Sequence, residues 1–364
     1  MITLDGSYGE GGGSLVRTAL ALSVLTGKEF KVINIRSGRP DPGLKAQHLT
    51  AIQALKEICE AQTNVIKVGS TELYFKPGIL KRGIYNLDIG TAGSISLLVQ
   101  ALILPSLFSP GKITFNLTGG TGGQWQSSVD YLQNVLLPQV QRFVEKINLK
   151  ILKRGYYPKG GGKVSLEINP RFKLPEYADW SALLEDVGHK TVKIKLINKG
   201  KLEQIRGVVN GSTELQEKQV GERIAQAAKG SLGQYKVPIN IRIEYSSSLS
   251  TGGEIVLWAL FGTEGKLDPD NPIIIGSSEL VEVGKSSELV GKEAAKKLSA
   301  EIDSSAATDK FLEDQLIMFM GLLPGSEIST SKITDHTKTN IYVVEKFLPV
   351  KFMVEWDRVK VKKV

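Results

Sequence analysis

The sequence predicts an α/β protein in which a β-α-β-α-β-β unit occurs three times and a smaller α/β domain is inserted in the third unit. Two observations predict this class. Segments with strand-like and helix-like apolar spacing follow one another in the same order in the first, second and last parts of the chain. A long segment, 203–304, separates the first strand of the third unit from its other elements. Repetition is a strong architectural signal, because each copy buries the open face of its neighbour.

The first unit covers about residues 1–78. Its first helix has Leu15, Ala19 and Leu22 on one side and ends at Gly27, which stands in the position of a C-cap. Two prolines hold the loop that follows the second strand. In chain order we expect strand 1–5, turn 9–13, helix 14–25, strand 30–36, loop 37–43, helix 44–60 and a closing strand pair, 64–68 and 72–75.

The second unit, about 84–170, repeats this order. Each of its first two strands runs into a glycine-rich turn, and the triple glycine at 160–162 favours a hairpin. We expect strand 85–89, a helix from Ser94, strand 112–117, a long helix 127–146, and strands 149–153 and 163–168.

The third unit, 190–200 plus 305–364, begins with a strand at 192–197. After the insertion it continues with helix 311–323, strand 327–331, helix 337–347 and strands 350–356 and 358–361. The large domain is therefore expected to comprise 1–200 and 305–364. The inserted domain, 203–304, is predicted to contain strand 204–209, helix 215–228, strands 239–245, 253–260 and 273–275, and helix 287–302.

Composition excludes several classes of protein. The 364 residues include one cysteine, Cys59, which excludes an internal disulfide framework and a cysteine-rich zinc site. No signal peptide and no apolar run long enough to span a bilayer is evident, so we expect a cytoplasmic protein without a membrane partner. The formal net charge of +8 permits a polyanionic partner without requiring one.

His336 is the candidate nucleophile. It is expected where a strand ends and a helix begins, and backbone N–H groups and the helix dipole favour a phosphate there. A neutral imidazole beside a phosphate is a competent nucleophile. The simpler interpretation is a residue at a helix start, with Asp335 as the cap.

Two further segments carry candidate phosphate chemistry. The glycine-rich turn 9–13 allows close backbone approach to a ligand, and its carboxylate, Glu10, is suited to hold a divalent metal on phosphate oxygens. The loop 36–45 concentrates arginine in a rigid frame, and Arg17 lies one turn into the first helix. The alternative interpretations are that Glu10 only interacts favourably with the helix dipole and that the loop 36–45 is simply solvated.

Four stretches together resemble the RNA 3'-terminal phosphate cyclase family, over nearly the whole chain. They are residues 4–20 (LDGSYGEGGGSLVRTAL), 35–49 (IRSGRPDPGLKAQHL), 155–162 (GYYPKGGG) and 335–349 (DHTKTNIYVVEKFLP). The resemblance implies three β-α-β-α-β-β units with a thioredoxin-like domain inserted in the third.

The resemblance also implies an activity that uses ATP and a divalent metal, Mg or Mn. A histidine attacks the α-phosphate, the AMP passes to an RNA 3'-phosphate, and the neighbouring 2'-hydroxyl closes a 2',3'-cyclic phosphate. The implied partners are therefore ATP and RNA 3'-phosphate ends, and a dimer is compatible with the sequence.

The resemblance assigns roles to individual residues. His336 matches the adenylylated histidine, Glu10 the metal-side glutamate and Gln100 a nucleotide-contacting glutamine. The residues that match the nucleotide pocket or positions near the phosphates are Phe311, Leu312, Glu313, Asp314, Gln315, Arg17, Arg39, Gln47 and His48.

One loop departs from the family pattern. The family commonly has an acid and prolines after Gly-Gly-Thr, whereas this chain has Gly122 to Ser128 with Trp125 inside, a side chain suited to stacking on a base or to packing on its own domain.

The main alternative function is a non-catalytic, cyclase-like ribosome-assembly factor that binds RNA. Such relatives lack the histidine that this chain keeps at position 336. Enolpyruvyl transferases share the repeated unit but lack the insertion and the His336 motif.

Overall fold

The computed structural model describes residues 1–9, 11–124, 126–263 and 265–364. Within these ranges the chain forms four mixed sheets of four strands each, covered by helices. This combination of mixed sheets and helices confirms the predicted α/β class.

The first sheet has the order β1-β2-β4-β3, with β1 parallel to β2 and the other neighbours antiparallel. A parallel pair needs a crossover, and α1 supplies it. The predicted strand 30–36 ends at Ile33, because Asn34 and Arg36 take positive φ angles of 56°. The predicted strand 64–68 is wrong; only Gln62 and Thr63 pair in this region, and a turn follows. The elements are β1 (Ile2–Asp5), α1 (Gly13–Thr26), β2 (Phe30–Ile33), α2 (Ala46–Cys59), β3 (Gln62–Thr63) and β4 (Leu73–Lys76).

The second sheet has the order β5-β6-β8-β7, again with only the first pair parallel. The predicted helix 127–146 is too long. A π-helical turn, Leu132–Leu136, precedes Pro138, a 3₁₀ turn ends at Phe143, and Val144 begins a strand whose β-branched residues pair with β8. The elements are β5 (Gly83–Asp88), α3 (Ile95–Ser106), β6 (Ile113–Gly119), α4 (Val129–Tyr131), α5 (Leu137–Val140), β7 (Val144–Lys153) and β8 (Gly162–Pro170).

An additional helix that the sequence pattern did not predict, α6 (Trp180–Lys190), leads to the short strand β9 (Lys195–Leu196). Asp179 caps α6 by accepting hydrogen bonds from the amides of Ser181 and Ala182, both 2.9 Å. A separate sheet follows, in the order β11-β10-β12-β13. Its elements are β10 (Lys201–Ser212), α7 (Val220–Leu232), β11 (Ile239–Ser246), β12 (Gly253–Gly262), β13 (Ile273–Leu280) and α8 (Ser287–Asp303).

The last sheet combines β9 with strands far along the chain, in the order β15-β16-β14-β9. In this sheet, as in the first two, the four strands lie side by side in the order first, second, fourth and third along the chain. The first two of them, β9 and β14, are again parallel, and the other neighbours are antiparallel. Its remaining elements are α9 (Leu312–Leu322), β14 (Glu327–Ser329), α10 (Asp335–Phe347), β15 (Val350–Glu355) and β16 (Arg358–Lys363).

Helix α1 lies at the centre of the molecule. Every one of its residues is buried, and it contacts α2, α3 and α10. Helix α9 contacts both α3 and α10. The first turn of α1 lies beside the first turn of α10, with the Ser14 hydroxyl oxygen 3.4 Å from Nδ1 of His336.

Candidate active site

A cavity of about 510 Å³ lies between α1, α3, α9 and α10. Residues from all three repeats of the sequence pattern meet in it, together with the loop that follows β6. Its polar and aromatic lining includes Ser14, Arg17, Gln100, Gln126, Ser127, Lys310, Phe311, Asp314, Gln315, Lys332, His336 and Asn340.

His336 is the second residue of α10 and is half-buried in the wall of this cavity. Thr334 caps the helix: its hydroxyl accepts a hydrogen bond from the amide of Thr337 at 3.1 Å. The cap is therefore Thr334, and the exposed Asp335 pairs with Lys338 at 2.9 Å instead. The imidazole thus sits over the positive end of a helix dipole.

A second helix amino end faces the same histidine. Nδ1 of His336 lies 3.4 Å from the hydroxyl oxygen of Ser14, in the first turn of α1. The chain reaches α1 through Gly9 and Gly11, whose φ angles of 63° and 59° are left-handed and favour glycine. Two helix amino ends and one imidazole therefore converge where an anionic group is best stabilised.

A chain of polar side chains crosses the cavity floor. Arg17 Nε donates to Gln100 Oε1 at 3.2 Å, and Gln100 Nε2 donates to Gln315 Oε1 at 3.2 Å. Gln315 Nε2 in turn donates to the carbonyl of Phe311 at 2.6 Å. These contacts join α1, α3 and α9 and fix the direction of the Arg17 guanidinium.

Phe311 provides an aromatic wall beside this chain. The residue is 41% exposed, and its ring packs edge-on against Tyr131 and has the Lys310 ammonium 5.0 Å from its centroid. Asp314 and Asn340 also line the cavity, and Asn340 donates to the carbonyl of Asp314 at 2.9 Å. An exposed ring face next to amide and carboxylate groups is suited to a heterocyclic base.

The structure places Leu312 and Glu313 away from the cavity surface. Both are fully buried. Glu313 Oε1 accepts hydrogen bonds from the amide of Thr334, at 3.1 Å, and from the hydroxyl of Thr337. Glu313 therefore supports the first turn of α10, which carries His336.

Burial raises the pKa of Glu313 to about 7, and the neighbouring Asp314 charge adds to this rise. The acid binds its proton more tightly in the folded chain, so its contribution to stability falls as pH rises from about 4.5 towards 7. We expect Glu313→Gln to stabilise the protein at pH 8 by up to about 3 kcal/mol, and to change little at pH 5. Urea unfolding at both pH values measures this; an equal gain at both would contradict it.

His48 lies behind the glycine turn rather than in the cavity wall. Its Nδ1 accepts a hydrogen bond from the Lys45 amide at 2.9 Å, and a Cβ on Gly13 would lie 2.1 Å from its Nε2. Burial, and then the charges of Arg17, Arg36 and Lys45, lowers the pKa of His48 to about 3. A neutral imidazole therefore supports the close approach of the α1 amino end.

The remaining predicted residues divide into two groups. Gln47, at the start of α2, and Arg39, in the loop before it, are not part of the cavity lining. Glu10, the predicted metal residue, and Trp125 lie outside the described residues. Lys332, Gln126 and Ser127 line the cavity without having been predicted, because each reaches it from a loop whose course only tertiary structure defines.

Fold and cavity together define an enzyme-like site: a half-buried imidazole between two helix amino ends, with an arginine and an aromatic face beside it. The chain matches the family model for RNA 3'-terminal phosphate cyclase over residues 8–354. It belongs to that family, which confirms the resemblance carried by its motifs and the prediction of a ligase-type enzyme.

Three curated relatives match the chain along nearly its whole length, and each is called RNA 3'-terminal phosphate cyclase. One from Pyrococcus abyssi is 42% identical over 96% of this chain and 93% of its own length. One from Archaeoglobus fulgidus is 40% identical over the full length of both, and one from Methanosarcina mazei is 39% identical over 98% of this chain and 97% of its own.

None of the helices in the described ranges has both the length and the apolar composition needed to cross a bilayer.

Proposed function

We propose that this protein is an ATP-dependent RNA 3'-terminal phosphate cyclase that works through a covalent histidine–AMP intermediate, in the cytoplasm. The observation that carries the proposal is the position of His336, between the amino ends of α10 and α1 in a cavity with an aromatic wall. The names of the curated relatives support the overall reaction.

In the first step, an imidazole nitrogen of His336 attacks the α-phosphorus of ATP. A P–N bond forms, the bond to the bridging oxygen breaks, and that oxygen leaves with pyrophosphate. The amide groups of both helix amino ends and the Arg17 guanidinium stabilise the charge that builds on the phosphate oxygens. The Glu313 contacts to Thr334 and Thr337 hold the histidine in this place.

The adenosine is proposed to lie against Phe311. The ring supplies a stacking face, while Gln100, Asp314 and Gln315 offer hydrogen-bonding groups at the cavity floor. An aromatic contact to a base contributes about 1–3 kcal/mol. Holding the base fixes the α-phosphate opposite the imidazole and so lowers the entropic part of the barrier.

In the second step, an oxygen of the RNA 3'-phosphate attacks the same phosphorus, and the imidazole leaves with its electron pair. In the third, the neighbouring 2'-hydroxyl attacks the RNA phosphorus, loses its proton and expels AMP. The hydroxyl and its target belong to the same ribose, so cyclisation has a high effective concentration. Dividing the transfer into steps through a covalent intermediate replaces one difficult reaction by easier ones.

A divalent metal, Mg or Mn, is proposed to assist with Glu10 as its protein ligand. A Mg²⁺ ion is typically held by one or two carboxylates together with substrate phosphates, and one protein carboxylate fits that pattern. When bound, such an ion offsets negative charge on the phosphates.

We also propose the repeat architecture. The large domain comprises 1–200 and 305–364, in three β-α-β-α-β-β units, and 203–304 is an inserted thioredoxin-like domain. The shared strand order of three sheets, and the separate sheet built from β10 to β13, support this division. The test is expression of 203–304 alone, which should fold cooperatively if the division is right.

The activity is tested with an RNA ending in a labelled 3'-phosphate, incubated with ATP and Mg²⁺ or Mn²⁺. We expect the label to become resistant to phosphatase and to appear in a 2',3'-cyclic phosphate, with release of AMP. RNA ending in a 3'-hydroxyl is the control. RNA binding without any change of the end would instead support the assembly-factor alternative.

Replacing Phe311 by alanine tests the adenosine position. Loss of one stacking contact of about 1–3 kcal/mol should weaken ATP binding by about 5- to 150-fold. Phe311→Tyr keeps the ring and should bind ATP nearly as the unchanged protein does. Equilibrium binding of ATP measures both variants, and an unchanged affinity of Phe311→Ala would place the base elsewhere.

A further inference from the structure

The outer face of the second sheet carries lysines without acidic partners. In the described part of the chain, no salt bridge joins an acid to Lys146, Lys150, Lys153, Lys159 or Lys163. Lys153 and Lys163 are directly opposite each other on β7 and β8, an arrangement in which like charges repel. Lys150 pairs with Ser165 on the same two strands. Such repulsion is relieved when a polyanion binds.

The acids on and beside this face are already engaged. Glu167 pairs with Lys112 at 2.6 Å, and this hydrogen bond, followed by the charges of Lys112, Lys146 and Lys150, lowers its pKa. Asp88 accepts the Gly90 amide at 2.8 Å. Glu145, at the sheet edge, accepts from Asn169. The five lysines named above and Lys112 outnumber these three acids, so the face carries an excess of positive charge.

The other two sheets of the same strand order are built differently. On the third sheet, Glu327 lies 3.4–3.6 Å from Lys195, Arg358 and Lys360. On the first sheet, Lys31 pairs with Glu72 at 2.8 Å. The charge clusters around Glu327 and Glu72 thus contain their own acids, whereas among the described residues no salt bridge joins an acid to the five lysines of the second sheet.

Beside the lysines, a row of neutral polar groups crosses from β8 to β5. Asn116 Nδ2 donates to Asn86 Oδ1 at 2.9 Å, and the Ser165 hydroxyl donates to Asn116 Oδ1 at 3.3 Å. Amides and hydroxyls of this kind contact phosphate and sugar groups in nucleic-acid interfaces. A solvent-facing sheet with such groups next to a set of lysines fits a nucleic-acid backbone.

The hairpin between β7 and β8 adds an aromatic side chain. Tyr157 is 81% exposed, whereas its neighbour Tyr156 is buried and donates to Asn210 Oδ1 at 2.7 Å. The Lys159 amide donates to the Ser250 hydroxyl at 3.1 Å. The hairpin is thus anchored on both sides while it presents Tyr157 and Lys159 to solvent.

One loop links this sheet to the active-site cavity. The amide of Thr121 donates to the carbonyl of Gly155 at 2.9 Å, which joins the base of the hairpin to the loop after β6. The same loop continues to Gln126 and Ser127 in the cavity wall. A strand whose end lies at His336 would cross this loop to reach Tyr157 and the lysines.

We infer that the outer face of the second sheet binds the single-stranded RNA upstream of the 3'-phosphate, with the lysines on its phosphates and Tyr157 stacked on a base. This inference rests on the proposed function, since it takes the RNA end to lie at His336. The outer face of the second sheet would then be a second RNA-binding region, separate from the cavity that binds the reacting 3' end.

The test compares two triple variants. K150Q/K153Q/K163Q removes charge from the second sheet, and K195Q/K360Q/K362Q removes the same charge from the third. Both are titrated with a 3'-phosphate RNA of about 20 nucleotides, longer than the roughly 4–16 nucleotides that one single-strand-binding fold covers, and with a trinucleotide. Thermal unfolding checks that both variants are folded.

Loss of three phosphate contacts should weaken binding of the long RNA on the order of 100-fold at 0.1 M salt and reduce the salt slope by roughly 2. The trinucleotide and the third-sheet variant should show little change. Tyr157→Ala should weaken long-RNA binding further, and Tyr157→Phe should not. Unchanged binding by K150Q/K153Q/K163Q, or an equal loss in both triples, would overturn the inference.

Labelling with ATP alone separates this inference from the proposed function. Both triples should become adenylylated at His336 as the unchanged protein does. Absence of label in the unchanged protein would overturn the proposed function, while the RNA-binding comparison would still decide whether this face holds the strand.

Discussion

Alanine at position 336 is expected to reduce ATP-dependent cyclisation by about 10⁴-fold or more. Loss of a nucleophile costs this much when no other group can replace it. Neither remaining histidine is placed to do so. His48 is buried behind Gly13, and His189 lies on α6 beside a different cavity. The reaction is followed by conversion of a labelled RNA 3'-phosphate.

The control for this variant is ATP binding. The hydrogen bonds that link Arg17, Gln100 and Gln315 to one another and to the Phe311 carbonyl do not involve the imidazole. His336→Ala should therefore bind ATP within about threefold of the unchanged protein. His336→Asn, which keeps a polar side chain at the start of α10, should be equally inactive. Cyclisation by either variant at about a tenth of the normal rate would contradict a nucleophilic role.

Replacing Arg154 by leucine is expected to destabilise the protein by about 3–5 kcal/mol, because the buried Asp130 carboxylate would lose its buried partner, and the half-exposed Arg242 guanidinium, 3.8 Å away, compensates its charge only in part. Arg154 is buried where the second sheet meets the β10–β13 sheet, and it contacts Asp130 and, at 2.7 Å, Glu244. Asn210 joins Asp130 to the buried Glu254. Burial, and then the Asp130 charge, raises the pKa of Glu254 to about 8.

Urea unfolding measures this loss, with Arg223→Leu as the matched control. Arg223 forms a two-point contact with Glu288 at 2.7 and 3.0 Å, but both side chains are nearly half exposed. An exposed pair contributes at most about 1 kcal/mol. If the two variants lose the same stability, the buried network does not hold the two sheets together.

Helices such as α1 and α10 were predictable because their signals are local. The apolar spacing of α1, the glycine after it and the threonine-rich start of α10 are all visible within a few residues. Helix α6 was not predicted, although its signals are also local: Asp179 stands in the N-cap position, and Leu183 and Val187 follow at helical spacing. The predicted helix 127–146 was too long because Phe143 and Val144 continue the apolar spacing of its earlier residues.

The site was predictable only in part. The predicted residues that do line one cavity are His336, Gln100, Phe311, Asp314, Gln315 and Arg17. Glu313 turns away from this cavity to support α10, and only helical phase distinguishes it from Asp314 in the sequence. The cavity contacts of Lys332 and Gln126 depend on packing between distant segments, which spacing along the chain does not encode.

Incubation with α-labelled ATP and a divalent metal, without RNA, tests the central claim most directly. We expect acid-labile AMP on the protein, mapped to His336 by mass spectrometry and absent from His336→Ala. The phosphoramidate should disappear when a 3'-phosphate RNA is added, as AMP passes to the RNA. A protein that binds ATP but carries no label, or carries it on another residue, would contradict the histidine–AMP mechanism.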